Sequence, residues 1–471
     1  MTSPVRVRFA PSPTGFLHVG SGHSALVNWL FAHHTGGAFL LRIEDTDAER
    51  NQPELIGNVL EMLEWLGITS DEEPVHQSER GDLHRKAADE LVAAGAVYFC
   101  DCTAEQVQER NKAAGGKPGY DGFCRDRGLE SGPGRAARFR TPREGRTGWT
   151  DVVRGEVSFA NADLEDFVVL RGNGSPVFLL ANAFDDADMG ITHVIRGEDH
   201  VNSTPKYLLL LDALGRARPE AFAHLPLLVN EQRKKLSKRR DDVSMADYRD
   251  RGFLPESMVH YLAMLGRTES GNEVRPVAEL IADFHLDEIS PSPAFFDVKK
   301  LTFINAEHLR ALSAAEFVDR ARPFLTLGEP AVAALESMVA EVQERVRTLA
   351  EVEPMIEFLV VDEPTVDEAS WTKAITKGKA VAEMLDATIA RLDALGPDEW
   401  QPEPIQVAVS GAAVDAGLVN AEGGPQLSKA QGPVRVAISG RTVGPPLWES
   451  LTVLGRERTL ARLRSTRGRL G

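Results

Sequence analysis

A chain of 471 residues is long for one hydrophobic core and predicts roughly three or four domains. Its composition, 42% hydrophobic and 26% charged, is that of a soluble globular protein, with no apolar run long enough for a membrane span and no signal-peptide core at the N-terminus. Three cysteines exclude a disulfide framework and fit the cytoplasm, and a net charge of −17 argues against a nucleic-acid partner except at basic stripes, RKKLSKRR at 233–240 and six arginines within 456–469.

At residues 5–9, Val5, Val7 and Phe9 alternate with Arg6 and Arg8, which predicts a short strand. APSPTG at 10–15 follows, and its two prolines and one glycine predict a tight turn. A helix is expected over about 20–34, where Ala25, Leu26, Trp29, Leu30 and His33 share a face and Gly36-Gly37 supplies the stop. The strand AFLLRIEDT begins at Ala38, is nearly all apolar up to Ile43 and ends in Glu44, Asp45 and Asp47. Pro53 then opens a second helix. Strand, helix, strand, helix is the start of a doubly wound α/β domain, whose ligands sit beyond the carboxyl ends of the strands. APSPTG and IEDTD lie at those ends.

Through 115–155 glycine and arginine rise and helical periodicity fades, so 100–185 reads as an insertion with its own small fold. THVIRGEDH restores the α/β pattern as a strand and an acidic loop. Thr204-Pro205 reads as cap and first position of the helix KYLLLLDALG, and HLPLLV as one further strand leading into the basic loop. From about 241 onward amphipathic helices dominate, and there are no internal repeats.

Two motifs carry chemistry. LHVGSG at 17–22 puts glycines and free N–H groups at the mouth of the first helix, a setting that favours phosphate, and His18 adds a donor. KLSKR at 235–239 is a lysine-rich loop. Each is commonplace alone: a histidine near a helix start is usually a cap, and a charge run is usually a solvated face. Two basic contacts in this order, roughly 215 residues apart, are a stronger signal. Around a triphosphate they would stabilise charge moving onto pyrophosphate, as adenylation requires.

The stretch RFAPSPTGFLHVGS resembles the first signature of class I aminoacyl-tRNA synthetases, and KLSKR resembles their second. Within that class LLRIEDTDAER, FDDADMGITHVIRGEDH, FDVKKLTFINAEHLR and the tail PVRVAISGRTVGPPLWESLTVLGRERTLARL are similar to the glutamyl branch, so the likeness spans nearly the whole chain. The resemblance implies an α/β, Rossmann-like catalytic domain of the class I synthetase type, in halves 1–99 and 186–240. It also implies an inserted acceptor-binding domain at 100–185, a stem-contact region at 241–305 and a mainly α-helical anticodon-binding region at 306–471. The implied activity is activation of L-glutamate by ATP and Mg²⁺ to glutamyl adenylate, then transfer to the 3′-terminal adenosine of tRNA(Glu), by a cytoplasmic monomer. Relatives that glutamylate a tRNA base lack the C-terminal region present here, and a non-catalytic tRNA-binding paralogue would not need His18 and Lys238.

By the same resemblance Arg8, Arg50 and Arg196 receive substrate carboxylate, as permanently charged, bidentate guanidinium groups suit. Glu44 holds the substrate amino group, with Ser12, Phe178 and Asn182 completing the pocket. ATP lies on His18, Gly20 and Ser21, reached by Lys235, Ser237 and Lys238, with His18 and Lys238 the catalytic pair. Phe178 stands where the family usually has tyrosine, His23 where arginine is frequent, and Arg240-Asp241 where His-Gly is common. Cys100, Cys102 and Cys124 are similar to a Zn²⁺ site of some members, with Tyr120 or Asp126 as the fourth ligand. Arg456, Arg458, Arg462 and Arg464 are expected to support the anticodon arm.

Overall fold

The four-residue strand β1 (Arg6–Phe9) is buried along nearly its whole length, as a strand inside a parallel sheet must be. In the computed structural model of the chain, which describes residues 4–46, 52–113, 115, 119–236, 244–267 and 273–470, two units are distinct. One takes residues 1–249 and 255–301, the other 250–254 and 302–471.

In the first unit β1 pairs in parallel with β2 (Ala38–Ile43), Arg6 opposite Ala38 and Phe9 opposite Leu41, and β2 pairs with β3 (Val75–His76). Between β1 and β2 runs α1 (Val19–Thr35). Its apolar surface is wider than one face: Val27, Asn28 and Ala32 are buried as well as Ala25, Leu26 and Leu30. Gly36 ends it in the left-handed region (φ 66°), and Gly37 N–H bonds Ala32 O at 2.8 Å, closing the last turn. The glycine at 37 is required, because a Cβ there would lie 2.4 Å from Val5 O. Pro53 opens α2 (Pro53–Trp65) in its first turn, and α3 (Gly81–Ala93) follows β3.

On the other side of β1 lies β9 (His193–Gly197): Thr192 N–H donates to Arg6 O at 3.0 Å. β9 pairs in parallel with β10 (Ala221–Leu225), and Phe222 of β10 meets Asp151 of β6 (Arg146–Asp151). An antiparallel partner, β7 (Gly155–Ala160), completes this sheet. A separate antiparallel sheet joins β4 (Val97–Cys100), β5 (Ala136–Phe139) and β8 (Val168–Leu170), with α4 (Ala104–Ala113) between the first two. The segment read as an insertion therefore shares one sheet with β4, which begins at Val97 just before it, and lends the β6–β7 hairpin to its host. After β8, α5 (Phe178–Asp188) leads back to β9.

Two details differ from the sequence reading. Ser203, not Thr204, is the cap of α6 (Thr204–Ala213), because a 3-10 turn over Glu198–Ser203 runs straight into the helix. HLPLLV is not one strand: β10 ends at Leu225, Pro226 interrupts, and β11 (Leu228–Val229) pairs instead with β12 (Ala294–Phe295).

The second unit is helical. Val381–Asp393, Pro402–Asp415, Leu427–Ser439 and Arg456–Gly468 pack around a core that includes Leu385, Val409, Val434 and Leu463. Its C-terminal arginines are engaged internally. Arg458 donates to Leu359 O, and Arg462 to Phe358 O at 2.8 Å and Ile438 O at 2.6 Å, satisfying carbonyls at two helix ends. Arg456 and Arg464 both pair with Asp393. Arg458 and Arg462 thus spend donors on last-turn carbonyls of their own unit, whereas Arg464, its side chain 54% exposed, stays open to solvent beside Asp393.

Candidate active site

The carboxyl ends of β1, β2 and β9 and the N-terminus of α1 enclose a cavity of about 510 Å³. On one wall stand Arg8, Ser12, Glu44, Asn182 and Arg196, and on the other His18, Gly20, Ser21 and Lys235. Sequence reasoning had singled out all nine, and parallel pairing brings them together from five separate stretches. Arg50, Ser237 and Lys238 lie outside the described residues. Lys235 follows a turn in which Asn230 N–H bonds Lys234 O at 2.9 Å, and it pairs back with Val229 at the cavity's edge.

At the nucleotide-like end, His18 caps α1: its Nδ1 accepts from Ser21 N at 3.2 Å, and its Nε2 is 3.0 Å from Ser21 Oγ. These contacts pin the ring beside the free N–H groups of the first turn, where an anion is favoured. His23, one turn further, is pushed down to about 4 by burial, so it is neutral at pH 7 and adds no charge.

The opposite end is an ion network. Asp186 on α5 accepts from Arg8 Nε at 2.9 Å and from Arg42 Nη1 at 2.6 Å. Arg42 also bonds Glu44 Oε1 at 3.2 Å, and Asn182 Nδ2 donates to the same oxygen at 2.6 Å. Burial opposes the charge on Asp186, but the two arginines outweigh it and hold the carboxyl far below its usual range. For Glu44 burial wins and the value is raised. Among the described residues the buried Asn182 Oδ1 has no hydrogen-bond partner, an acceptor available to a ligand amine.

Arg196 differs from the other two guanidinium groups. It is 7% exposed, and its bonds go to Thr204 Oγ1 at 2.8 Å and His224 Nε2 at 3.3 Å, both neutral groups. Among the described residues no carboxylate pairs with it: Glu198 is taken by Arg154, and Asp199 stands near His200. Burial, then repulsion by Arg8, pushes its value down to about 10. Among the described residues of the cluster, three guanidinium groups stand against two carboxylates, and the unpaired positive charge is Arg196. An uncompensated buried cation facing a cavity is a receptor for an anion.

Residues 4–303 match the catalytic-domain family described as tRNA synthetases class I (E and Q), and residues 316–467 match an anticodon binding domain family. The chain is 50% identical to the glutamate–tRNA ligase of Frankia casuarinae over 99% of its own length and 98% of the relative's. It is also 50% identical to that of Salinispora tropica, covering 98% of this chain and all of the relative. This chain belongs to the glutamate–tRNA ligase family. A crystal structure of a glutamate tRNA ligase from Elizabethkingia meningosepticum, in complex with its amino acid, superposes with a TM-score of 0.82 at 28% identity, covering 100% of both chains. The class I synthetase architecture read from the sequence, with a helical anticodon-binding region, is thereby established. No helix among the described residues is long and apolar enough to cross a membrane.

Sequence reasoning missed Arg42, Asp186, Thr204 and His224. Arg42 left a signal, a lone charge inside an otherwise apolar strand, which implies a buried partner. Phe178, where this family usually has tyrosine, lines the cavity and stacks on His200 with ring centroids 5.9 Å apart. Burial, then Arg196, lowers His200 to about 4 and keeps it neutral.

Outside the cavity, the sulfurs of Cys100, Cys102 and Cys124 lie within 4.8 Å of one another. Tyr120 hydroxyl is 3.5 Å from Cys100 Sγ and accepts from Cys124 N–H at 2.8 Å. Burial would raise the Cys100 thiol, but bonds from Tyr120 and the Cys102 backbone bring it down to about 7. Asp126 is not in the group: its carboxylate is 85% exposed and pairs with Arg140. Three sulfurs around one tetrahedral Zn²⁺ would be about 3.8 Å apart, and the donor set fits such an ion.

Proposed function

We propose that the cavity binds L-glutamate and ATP and joins the amino acid to tRNA(Glu). The observation that carries this reading is Arg196, a buried cation whose bonds are to neutral groups, beside a cluster in which Arg8 and Arg42 are balanced by Glu44 and Asp186. Glutamate supplies the missing anion through its side-chain carboxylate. Its amino group is matched by Glu44 and Asn182 Oδ1, and Arg8 is held by Asp186 along the same wall. Arg50 and Ser12 complete the amino-acid side, and Phe178 with His200 supplies an apolar wall.

The α-carboxylate then attacks the α-phosphate of ATP, whose phosphates lie along Gly20, Ser21 and the start of α1. Mg²⁺ carried by ATP lowers the repulsion between phosphates and carboxylate. His18 donates to the phosphates, and Lys235 with Lys238 follows negative charge onto the leaving pyrophosphate. A ribose hydroxyl of the terminal adenosine of tRNA next attacks the mixed anhydride. No side chain needs to become a covalent nucleophile; orientation and charge stabilisation suffice.

The remaining assignments support tRNA binding. Residues 100–185 hold the acceptor end, with Zn²⁺ on Cys100, Cys102, Cys124 and Tyr120 bracing that fold; 241–305 touch the stem, and 306–471 the anticodon arm. The protein acts as a cytoplasmic monomer, which sedimentation of the purified chain tests. The deciding experiment is charging of purified tRNA for glutamate and for glutamine with radiolabelled glutamate and glutamine, each tested separately. Glutamate-only charging of tRNA(Glu) supports the reading, and preferential charging with glutamine overturns it.

A further inference from the structure

We infer that Asp151 and His224, which do not line the cavity, form a positioning dyad that keeps the charge of Arg196 uncompensated and aimed at the substrate. This inference rests on the glutamate reading of the site. His224 is fully buried on β10, one strand behind the arginine. Its Nδ1 is 2.5 Å from Asp151 Oδ2, and its Nε2 is 3.3 Å from Arg196 Nε. A carboxylate only accepts, so Nδ1 carries a proton. A guanidinium N–H only donates, so Nε2 accepts from Arg196 and carries none, with the Thr204 hydroxyl, 3.1 Å away, as its second neighbour. Both ends of the ring therefore impose the same neutral tautomer.

Asp151 is itself held so that it cannot turn. Oδ1 accepts from the backbone N–H of Val153 and Arg154 at 3.1 Å each and of His224 at 3.2 Å, while Oδ2 accepts from Trp149 Nε1 at 3.2 Å. Five donors converge on this one side chain, His224 included. The arrangement has a purpose that a direct salt bridge could not serve. A carboxylate touching Arg196 would fix it equally well but neutralise the charge that glutamate must meet. An imidazole that relays the carboxylate's orientation, with the ring between the charges, supplies an acceptor and leaves the cation unpaired. Thr204 completes the hold: its hydroxyl accepts from Arg196 Nη2 and donates to His200 O at 2.9 Å.

The isosteric change Asp151→Asn separates this role from simple packing. Its amide oxygen is best used on the three backbone N–H groups, which leaves the amide NH₂ facing His224 Nδ1. The ring must then accept there and carry its proton on Nε2, against Arg196. Shape is kept and the tautomer is reversed, while the Trp149 indole N–H loses its acceptor, a cost the melting temperature reads separately. His224→Gln is the conservative partner, since its terminal amide oxygen reaches the Nε2 position, and His224→Leu removes the acceptor.

The test measures KM and kcat for glutamate and for ATP in tRNA(Glu) charging, with melting temperature as a check on folding. Expected are a KM for glutamate raised about 10- to 100-fold in Asp151→Asn and His224→Leu, the loss of one oriented charged contact, a KM for ATP within about twofold, and substantial rescue in His224→Gln. If Asp151→Asn does not fold, the contrast between the glutamine and leucine variants decides. An unchanged KM for glutamate in folded variants, a parallel rise for both substrates, or no difference between His224→Gln and His224→Leu would overturn the dyad. Failure of the wild-type protein to charge glutamate would instead overturn the reading of the site.

Discussion

Replacing Arg196 by glutamine removes, among the described residues, the one pocket guanidinium whose hydrogen bonds go only to neutral groups. With it gone, the described charges of the cluster, Arg8 and Arg42 against Glu44 and Asp186, balance two to two. The side-chain carboxylate of glutamate must then be desolvated without a cation. A buried charge deprived of its partner costs about 3–5 kcal/mol, so kcat/KM for glutamate should fall by at least roughly 10²-fold. Glutamine never had that pairing, and the new amide offers it both a donor and an acceptor. The preference for glutamate over glutamine should therefore narrow by a similar factor. Lost folding is distinguishable, because burial and Arg8 disfavour this cation, as its lowered value near 10 records. The folded protein gives up that proton more readily than the unfolded chain, so the cost is present below about pH 10 and disappears only as pH rises through and beyond it. The variant should match or exceed the wild-type melting temperature at neutral pH while losing activity. Charging assays with both labelled amino acids read the result. An unchanged glutamate-to-glutamine ratio would refute the reasoning and move specificity to Arg8 and Arg50.

Lys238→Ala should slow tRNA-dependent ATP–pyrophosphate exchange by roughly 10²–10³-fold, the scale of one lost transition-state contact, and leave tRNA binding unchanged; a near-normal rate contradicts the assignment. Protein purified without added metal should contain about one zinc per chain by elemental analysis. Cys102→Ser should lose that ion, whereas Asp126→Ala should keep it, because Asp126 lies outside the sulfur cluster and pairs with Arg140. Arg462→Met should destabilise the helical unit by on the order of 3 kcal/mol in denaturant titrations, since buried carbonyls at Phe358 and Ile438 lose their donor; wild-type stability would show those bonds to be replaceable.

The local features were open to reading because their causes are local. Gly36 and Gly37 stop α1, Pro53 starts α2, and the carboxyl ends of β1 and β2 carry the turn and acids that mark a ligand edge. His18, Glu44, Asn182 and Arg196 were also legible, through motifs whose order along the chain matches a family. What no stretch of sequence could reveal is which charges cancel. Arg8 and Arg196 look alike in sequence, each a cation next to apolar residues near the end of a short strand. Only the packing of α5 against β1 and β2 puts Asp186 between Arg8 and Arg42 and not beside Arg196. Arg458 and Arg462 teach the same lesson, for two members of a basic stripe in sequence became internal bonds once helices 352–360 and 456–468 met. The resemblance left Asp126 and Tyr120 as alternative fourth ligands, and folding carried Tyr120 to the sulfurs and left Asp126 in solvent. Propensity and turn chemistry act over a few residues. Compensation of charge depends on partners more than a hundred positions apart, and only the tertiary structure selects them.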